Sequence, residues 1–319
     1  MAADFSSLPK NRAKRTTVLW LLRSVGFGLL SACSALPTAE LATDFKPSAA
    51  LSAAPLYNVS FNSVLALPLK NQGVKLAYGD AALQFGLLSL PATKVSTKPP
   101  LVIFVHGGCW LNAYDIGHSK ALSQALTEAG YAVWSLEYRR VGDEGGGWPG
   151  SFNDVMQGIH YAQAQFERYG VDLRRIALMG HSAGGQLALL AGDKLAAEKL
   201  AGDKKAAQIQ AVIGLAAITD MASYAKGSNS CQSATAQFIG ASPEQAPALY
   251  QQASPSLHRA HPKTLLLQGN ADQIVPTTQA TDSGMPYRLV EKAGHFDWIH
   301  PQSAAYPQLI LTLQELVPL

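Results

Sequence analysis

From about residue 74 onward, apolar and polar positions follow two alternating patterns. Short apolar runs bounded by Gly, Pro or polar residues occur at 74–78, 84–90, 101–105, 131–136, 176–179, 211–215, 264–267 and 287–290. Their length and their content of branched and aromatic side chains predict eight β-strands. Between them lie helix-forming stretches: 119–129, stopped by Gly130; 152–169, stopped by Gly170; 186 to about 200; and 306–316. The runs 101–105 and 176–179 are continuously apolar, as strands buried on both faces must be. The first two strands are expected to form an antiparallel pair. Strand and helix alternate thereafter, which predicts an α/β fold whose mostly parallel sheet of about eight strands carries helices on both faces.

The first 33 residues follow neither pattern. Lys10, Arg12, Lys14 and Arg15 precede apolar stretches at 18–22 and 25–30, with Arg23 between them. A basic block, a short apolar stretch and then small residues predict a signal peptide, too short to span a membrane. Its end, Leu30-Ser31-Ala32-Cys33, resembles the bacterial lipobox. That resemblance implies lipidation of Cys33, attachment to a membrane through the N-terminal lipid and a periplasmic location; Ser34 would permit transfer to an outer membrane. Ordinary cleavage near Ala35 or Ala39 is the alternative. Residues 34–70, rich in Ala, Ser, Leu and Pro, are expected to form a tether, with local structure near Tyr57 to Leu67, and 71–319 to form the folded domain.

The signal peptide also accounts for the basic balance. Residues 1–32 hold five of the 25 basic side chains and one of the 22 acidic ones, so the remainder has 20 basic and 21 acidic groups. Such a balance gives no footprint for nucleic acid. The sequence has no H-E-x-x-H, no C-x-x-C and no other metal spacing, so neither a metal nor an organic cofactor is expected. Cys109 and Cys231 are free to pair in an exported protein; their positions leave that open.

The candidate chemistry sits where predicted strands end. Gly180-His181-Ser182-Ala183-Gly184 joins the apolar run 176–179 to a helix former. His106-Gly107-Gly108-Cys109-Trp110 follows the strand 101–105. Gln268-Gly269-Asn270-Ala271-Asp272-Gln273-Ile274-Val275-Pro276 follows 264–267, and Ala293-Gly294-His295-Phe296-Asp297 follows 287–290. Together, over about residues 74–319, these segments resemble the esterase/lipase branch of the α/β-hydrolases, near hormone-sensitive-lipase-like, feruloyl-esterase-like and kynurenine-formamidase-like carboxylesterases. The chain departs from the pattern at Cys109, where many relatives have glycine, and at Gln268, where histidine is usual.

The resemblance implies an α/β-hydrolase fold with at most a small cap and a serine carboxylesterase acting on small to medium esters. Ser182 would be the nucleophile, His295 the base and Asp272 the acid, with Asp220 as the rival acid. The N–H groups of Gly108, Cys109 and Ala183 would form the oxyanion hole. His106 is expected to tie down its loop, His181 to pack, Asp297 to stabilise the histidine loop, and Glu137-Tyr138-Arg139-Arg140 to brace the sheet edge. The 216–263 excursion, with Tyr224, Phe238 and Tyr250, is either a partial cap or a cover for the sheet. Trp110 either lines the pocket or packs. Alternatives on the same scaffold are an arylformamidase, a serine exopeptidase and a non-catalytic surface binding protein.

Overall fold

A computed structural model describes residues 54–92, 97–203, 207–258 and 260–319. The signal peptide, Cys33 and most of the expected tether lie outside the described residues. The eight predicted strands form one sheet: β1 (Val74–Ala77), β2 (Phe85–Ser89), β3 (Pro100–Val105), β4 (Ala132–Leu136), β5 (Asp172–His181), β6 (Ile209–Leu215), β7 (Thr264–Gly269) and β8 (Tyr287–Val290). Their order is β1-β2-β4-β3-β5-β6-β7-β8. β1 pairs antiparallel with β2, and β2 with β4; every later pairing is parallel.

Nine helices accompany the sheet among the described residues: α1 (Phe61–Leu65), α2 (Lys120–Glu128), α3 (Gly150–Gln165), α4 (Ala183–Leu200), α5 (Met221–Tyr224), α6 (Ser230–Ile239), α7 (Pro247–Ala253), α8 (Thr278–Thr281) and α9 (Ala305–Leu316). None is long and apolar enough to cross a membrane. α2 begins after one turn of 3-10 helix, and α3 ends in another that Gly170 closes at φ +77°.

The continuous apolar runs are explained by burial on both faces. In β3, Leu101, Ile103 and Val105 join one core with Ile159 of α3 and Leu187 of α4. Val102 and Phe104 join the other with Leu126 of α2 and Leu309 of α9. Each such side chain contributes about 1.5–3 kcal/mol when fully buried.

Two segments extend this frame beyond its sequence pattern. The excursion between β6 and β7 folds into α5, α6 and α7, and its Tyr224, Phe238 and Tyr250 are each only 1% exposed. They pack into the α3/α4 core, so the excursion is part of the domain's body. Residues 54–70, assigned to the tether from sequence, also pack against the domain. Ser60 caps α1, Val64 enters the α2/α9 core, and Leu56 bridges Ser303. Among the described residues, packing with the domain therefore begins before residue 71.

The strand order brings the loops together. β3 lies beside β5, so the chain after Val105 runs next to Ser182. β7 lies beside β8, which brings the segments bearing Asp272 and His295 side by side.

Candidate active site

Ser182 sits between β5 and α4 with φ +55° and ψ −120°. An L-residue adopts such a conformation only at a cost of about 1–3 kcal/mol, which surrounding structure must offset. Here the Ser182 N–H donates to the Leu215 carbonyl at 2.8 Å, fixing the turn to β6. The glycines on either side are required by close approach, though not by collision with each other's side chains. A Cβ on Gly180 would strike the Gly184 carbonyl, and one on Gly184 would strike the His106 carbonyl at the end of β3. The turn is thus as tight against β3 as it is within itself.

His295 Nδ1 donates to Asp272 Oδ2 at 2.8 Å, and both side chains are almost wholly buried. The other carboxylate oxygen of Asp272 accepts the N–H groups of Ile274 (2.8 Å) and Val275 (2.9 Å), and Gln268 Nε2 donates to Oδ2 at 3.1 Å. Gln268 thereby serves its neighbour directly. Burial alone would raise the Asp272 carboxyl, but His295 and these N–H donors outweigh it and hold the group below the ordinary aspartate value. Asp220 caps α5, accepting the Ser223 N–H at 2.9 Å, and is not the partner of His295.

Ser182 and His295 line one cavity of about 150 Å³, together with Gly108, Cys109, Tyr114, His118 and His181. Phe61, Ser230, Cys231, Ile274 and Phe296 complete its wall. Among the described residues, the N–H groups of Gly108 and Cys109 make no hydrogen bond, and that of Ala183 opens α4. A larger hollow of about 620 Å³, at the opposite end of the sheet, is lined by Lys98, Arg174 and Arg175. Its arginines are ion-paired to Asp172, and it gathers no reactive set. No group of three or more His, Cys, Asp or Glu side chains suits a metal among the described residues.

The supporting residues divide into expected and unexpected. Asp297 is fully buried and accepts the N–H groups of Asn58, Val59 and Gly294 at 2.7–3.0 Å, so it holds the histidine loop as expected. His106 contacts the Gly107 carbonyl and Glu137 Oε1, tying down its loop. His181 does more than pack: its Nε2 donates to the His295 carbonyl at 2.9 Å. Burial pushes its pKa well below the usual imidazole value, so it does this as a neutral ring.

The motif Glu137-Tyr138-Arg139-Arg140 also acts closer to the site than a sheet-edge brace. Glu137 accepts the Ile116 and Tyr138 N–H groups as well as His106, and Tyr138 donates to the His106 carbonyl at 2.9 Å. Burial alone would raise the Glu137 carboxyl; His106, Arg140 and the backbone donors bring it down to about 2. Cys109 and Cys231 form a disulfide that links the loop after β3 to α6. Trp110, fully buried, stacks on Phe238 of α6 at 4.8 Å and donates to Gln186 Oε1 at 3.0 Å.

Residues 88–283 match the model of the BD-FAE family. The chain belongs to that family. Among curated relatives of this BD-FAE protein, Esterase LipC of Mycobacterium tuberculosis is 36% identical over 37% of the chain and 29% of its own length. Isoprenylcysteine alpha-carbonyl methylesterase ICME of Arabidopsis thaliana is 33% identical over 44% of the chain and 33% of its own length. The chain thus spans only about a third of these relatives. Among solved structures, esterase B from Lactobacillus rhamnosis superposes with a TM-score of 0.67 at 19% identity, covering 80% of the chain and 88% of that protein. A carbohydrate esterase from gut microbiota, solved in truncated form, gives 0.66 at 20% identity, covering 78% and 99%. These superpositions identify the α/β-hydrolase fold of the BD-FAE domain.

Proposed function

We propose that the protein is a serine carboxylesterase that hydrolyses small to medium esters through an acyl-enzyme. The observation that carries this reading is the buried His295–Asp272 hydrogen bond beside a cavity that also holds the strained Ser182 turn. A serine hydroxyl is a weak nucleophile at neutral pH and needs a base. Asp272 occupies Nδ1 of His295, which leaves Nε2 to take the Ser182 proton as Oγ attacks the ester carbonyl. The tetrahedral oxyanion forms against the N–H groups of Gly108, Cys109 and Ala183, each worth roughly 3 kcal/mol to the transition state. His295 then returns the proton to the departing alcohol as the C–O bond breaks. Water repeats the two steps, releasing the acid and restoring Ser182.

The family membership and the esterase names among the relatives support this reading, and the 150 Å³ cavity favours a compact acyl group. Ser182→Ala is expected to abolish turnover of p-nitrophenyl acetate and labelling by a fluorophosphonate probe. Appreciable turnover in that variant would sink the assignment.

The N-terminal segment is proposed to export the enzyme to a bacterial periplasm and to anchor it through lipid on Cys33. The lipobox-like Leu30-Ser31-Ala32-Cys33 supports this. Cells fed an alkynyl fatty acid should incorporate it into the wild type and not into Cys33→Ala; equal incorporation in both would refute the anchor.

A further inference from the structure

The first turn of α6 touches both sides of the cavity. On one side, the Asn229 side chain caps the helix, with Gln232 reciprocating, and its Nδ2 donates to the Ile274 carbonyl at 3.0 Å. Ile274 belongs to the loop whose N–H groups hold Asp272. On the other side, Cys231 is bonded through its sulfur to Cys109. The turn therefore spans from the acid loop to the loop after β3, and Ser230 and Cys231 line the cavity between them.

What the crosslink holds is an unfavourable backbone. Cys109 and Trp110 stand in succession at φ +53° and +59°, a region where residues other than glycine are destabilised by roughly 1–2 kcal/mol each. Trp110 is fastened by its stack on Phe238 and its bond to Gln186. Cys109 is buried in the same core, in a turn closed by the Leu111 N–H donating to the Gly108 carbonyl at 2.9 Å, and its sulfur is tied covalently to α6. The side chain that occupies the usual glycine position is thus the one bonded to α6.

We propose that Cys231 is a positioning residue for the oxyanion site: through the disulfide it keeps the Cys109 N–H aimed into the cavity. The proposal rests on the esterase reading above, and predicts an effect on the chemical step rather than on substrate binding. A donor displaced by a fraction of an ångström weakens the transition state selectively.

The test uses the full chain, with kcat expressed per serine titrated by fluorophosphonate. Cys231→Ser is expected to lower kcat for p-nitrophenyl acetate roughly tenfold with KM within about twofold. Adding Cys109→Gly to Cys231→Ser should recover most of that loss, because glycine adopts the left-handed conformation without a crosslink. If the crosslink only stabilises the fold, its loss would lower the melting temperature of both variants and leave kcat per titrated serine unchanged, overturning the proposal. Equal kcat deficits with and without the added glycine would overturn it too. Should Cys231→Ser fail to fold, Asn229→Ala loosens the same turn with the disulfide intact. It is expected to cost roughly threefold in kcat at constant KM, and an unchanged kcat would refute the brace. A wild type that neither turns over ester nor takes up the probe would remove the esterase reading and this role together.

Discussion

The two sides of the cavity are held in opposite ways. The acid loop is largely self-supporting: Asp272 gathers the N–H groups of Ile274 and Val275 from within three residues, while the histidine loop adds to Gly294 the remote amides of Asn58 and Val59 on Asp297. The loop after β3 is held from a distance. Glu137 grips it from the end of β4, Gln186 from α4, and Phe238 and Cys231 from α6. Local support tolerates sequence change elsewhere in the chain. Remote support makes one loop depend on the correct packing of three other elements.

The largest expected effect lies on the self-supported side. Asp272→Asn should retain the shape of its loop and lower kcat by about 10⁴, because the amide no longer fixes the protonated Nδ1 of His295. Full activity would mean that the acid is elsewhere. On the remotely held side, Trp110→Ala should cost about 3–5 kcal/mol of stability in urea unfolding, since it empties a fully buried site between α4 and α6. A loss under 1 kcal/mol would show that the stack on Phe238 is dispensable.

Acid provides a third contrast. Glu137 is depressed in the folded protein from 4.5 to about 2, so its contribution is complete above pH 4.5 and disappears as the pH falls toward about 2. Glu137→Gln should therefore lower stability at neutral pH and flatten the decline of stability across that window. An unchanged decline would remove Glu137 from the acid response. The smallest effect is expected from Asp220→Ala, which removes a helix cap at a cost of about 1 kcal/mol. Its kcat for p-nitrophenyl acetate should stay within twofold; a larger fall would reopen Asp220 as the acid.

That same division decides what was legible in the chain. The central strands announce themselves because each apolar run faces two cores, the exposed edge strands β1 and β8 are legible only from their length and content, and Asp272 stands in a short motif whose backbone contacts are nearby in sequence. Residues such as Val105 and Leu267 needed no knowledge of their partners to be read as buried. Glu137 and Cys231 carry no such signal, because their partners lie 31 and 122 positions away. The helices of the excursion were hidden for a related reason. Their stability comes from seating Tyr224, Phe238 and Tyr250 in a core made by other segments, and pattern within 216–263 does not reveal that. The short α1 falls within the local structure expected near Tyr57 to Leu67, though not its packing, since a five-residue helix persists only where tertiary contacts hold it.

Its placement has a practical consequence. Phe61 forms part of the wall around Ser182, and the amides of Asn58 and Val59 cover the carboxylate of Asp297, two residues from His295. A shortened protein begun at residue 71, where the alternating pattern starts, would strip a panel from the cavity around Ser182 and bare the Asp297 carboxylate that holds the histidine loop. Where a biochemist trims this polypeptide will decide whether the purified protein keeps the cavity of the full chain.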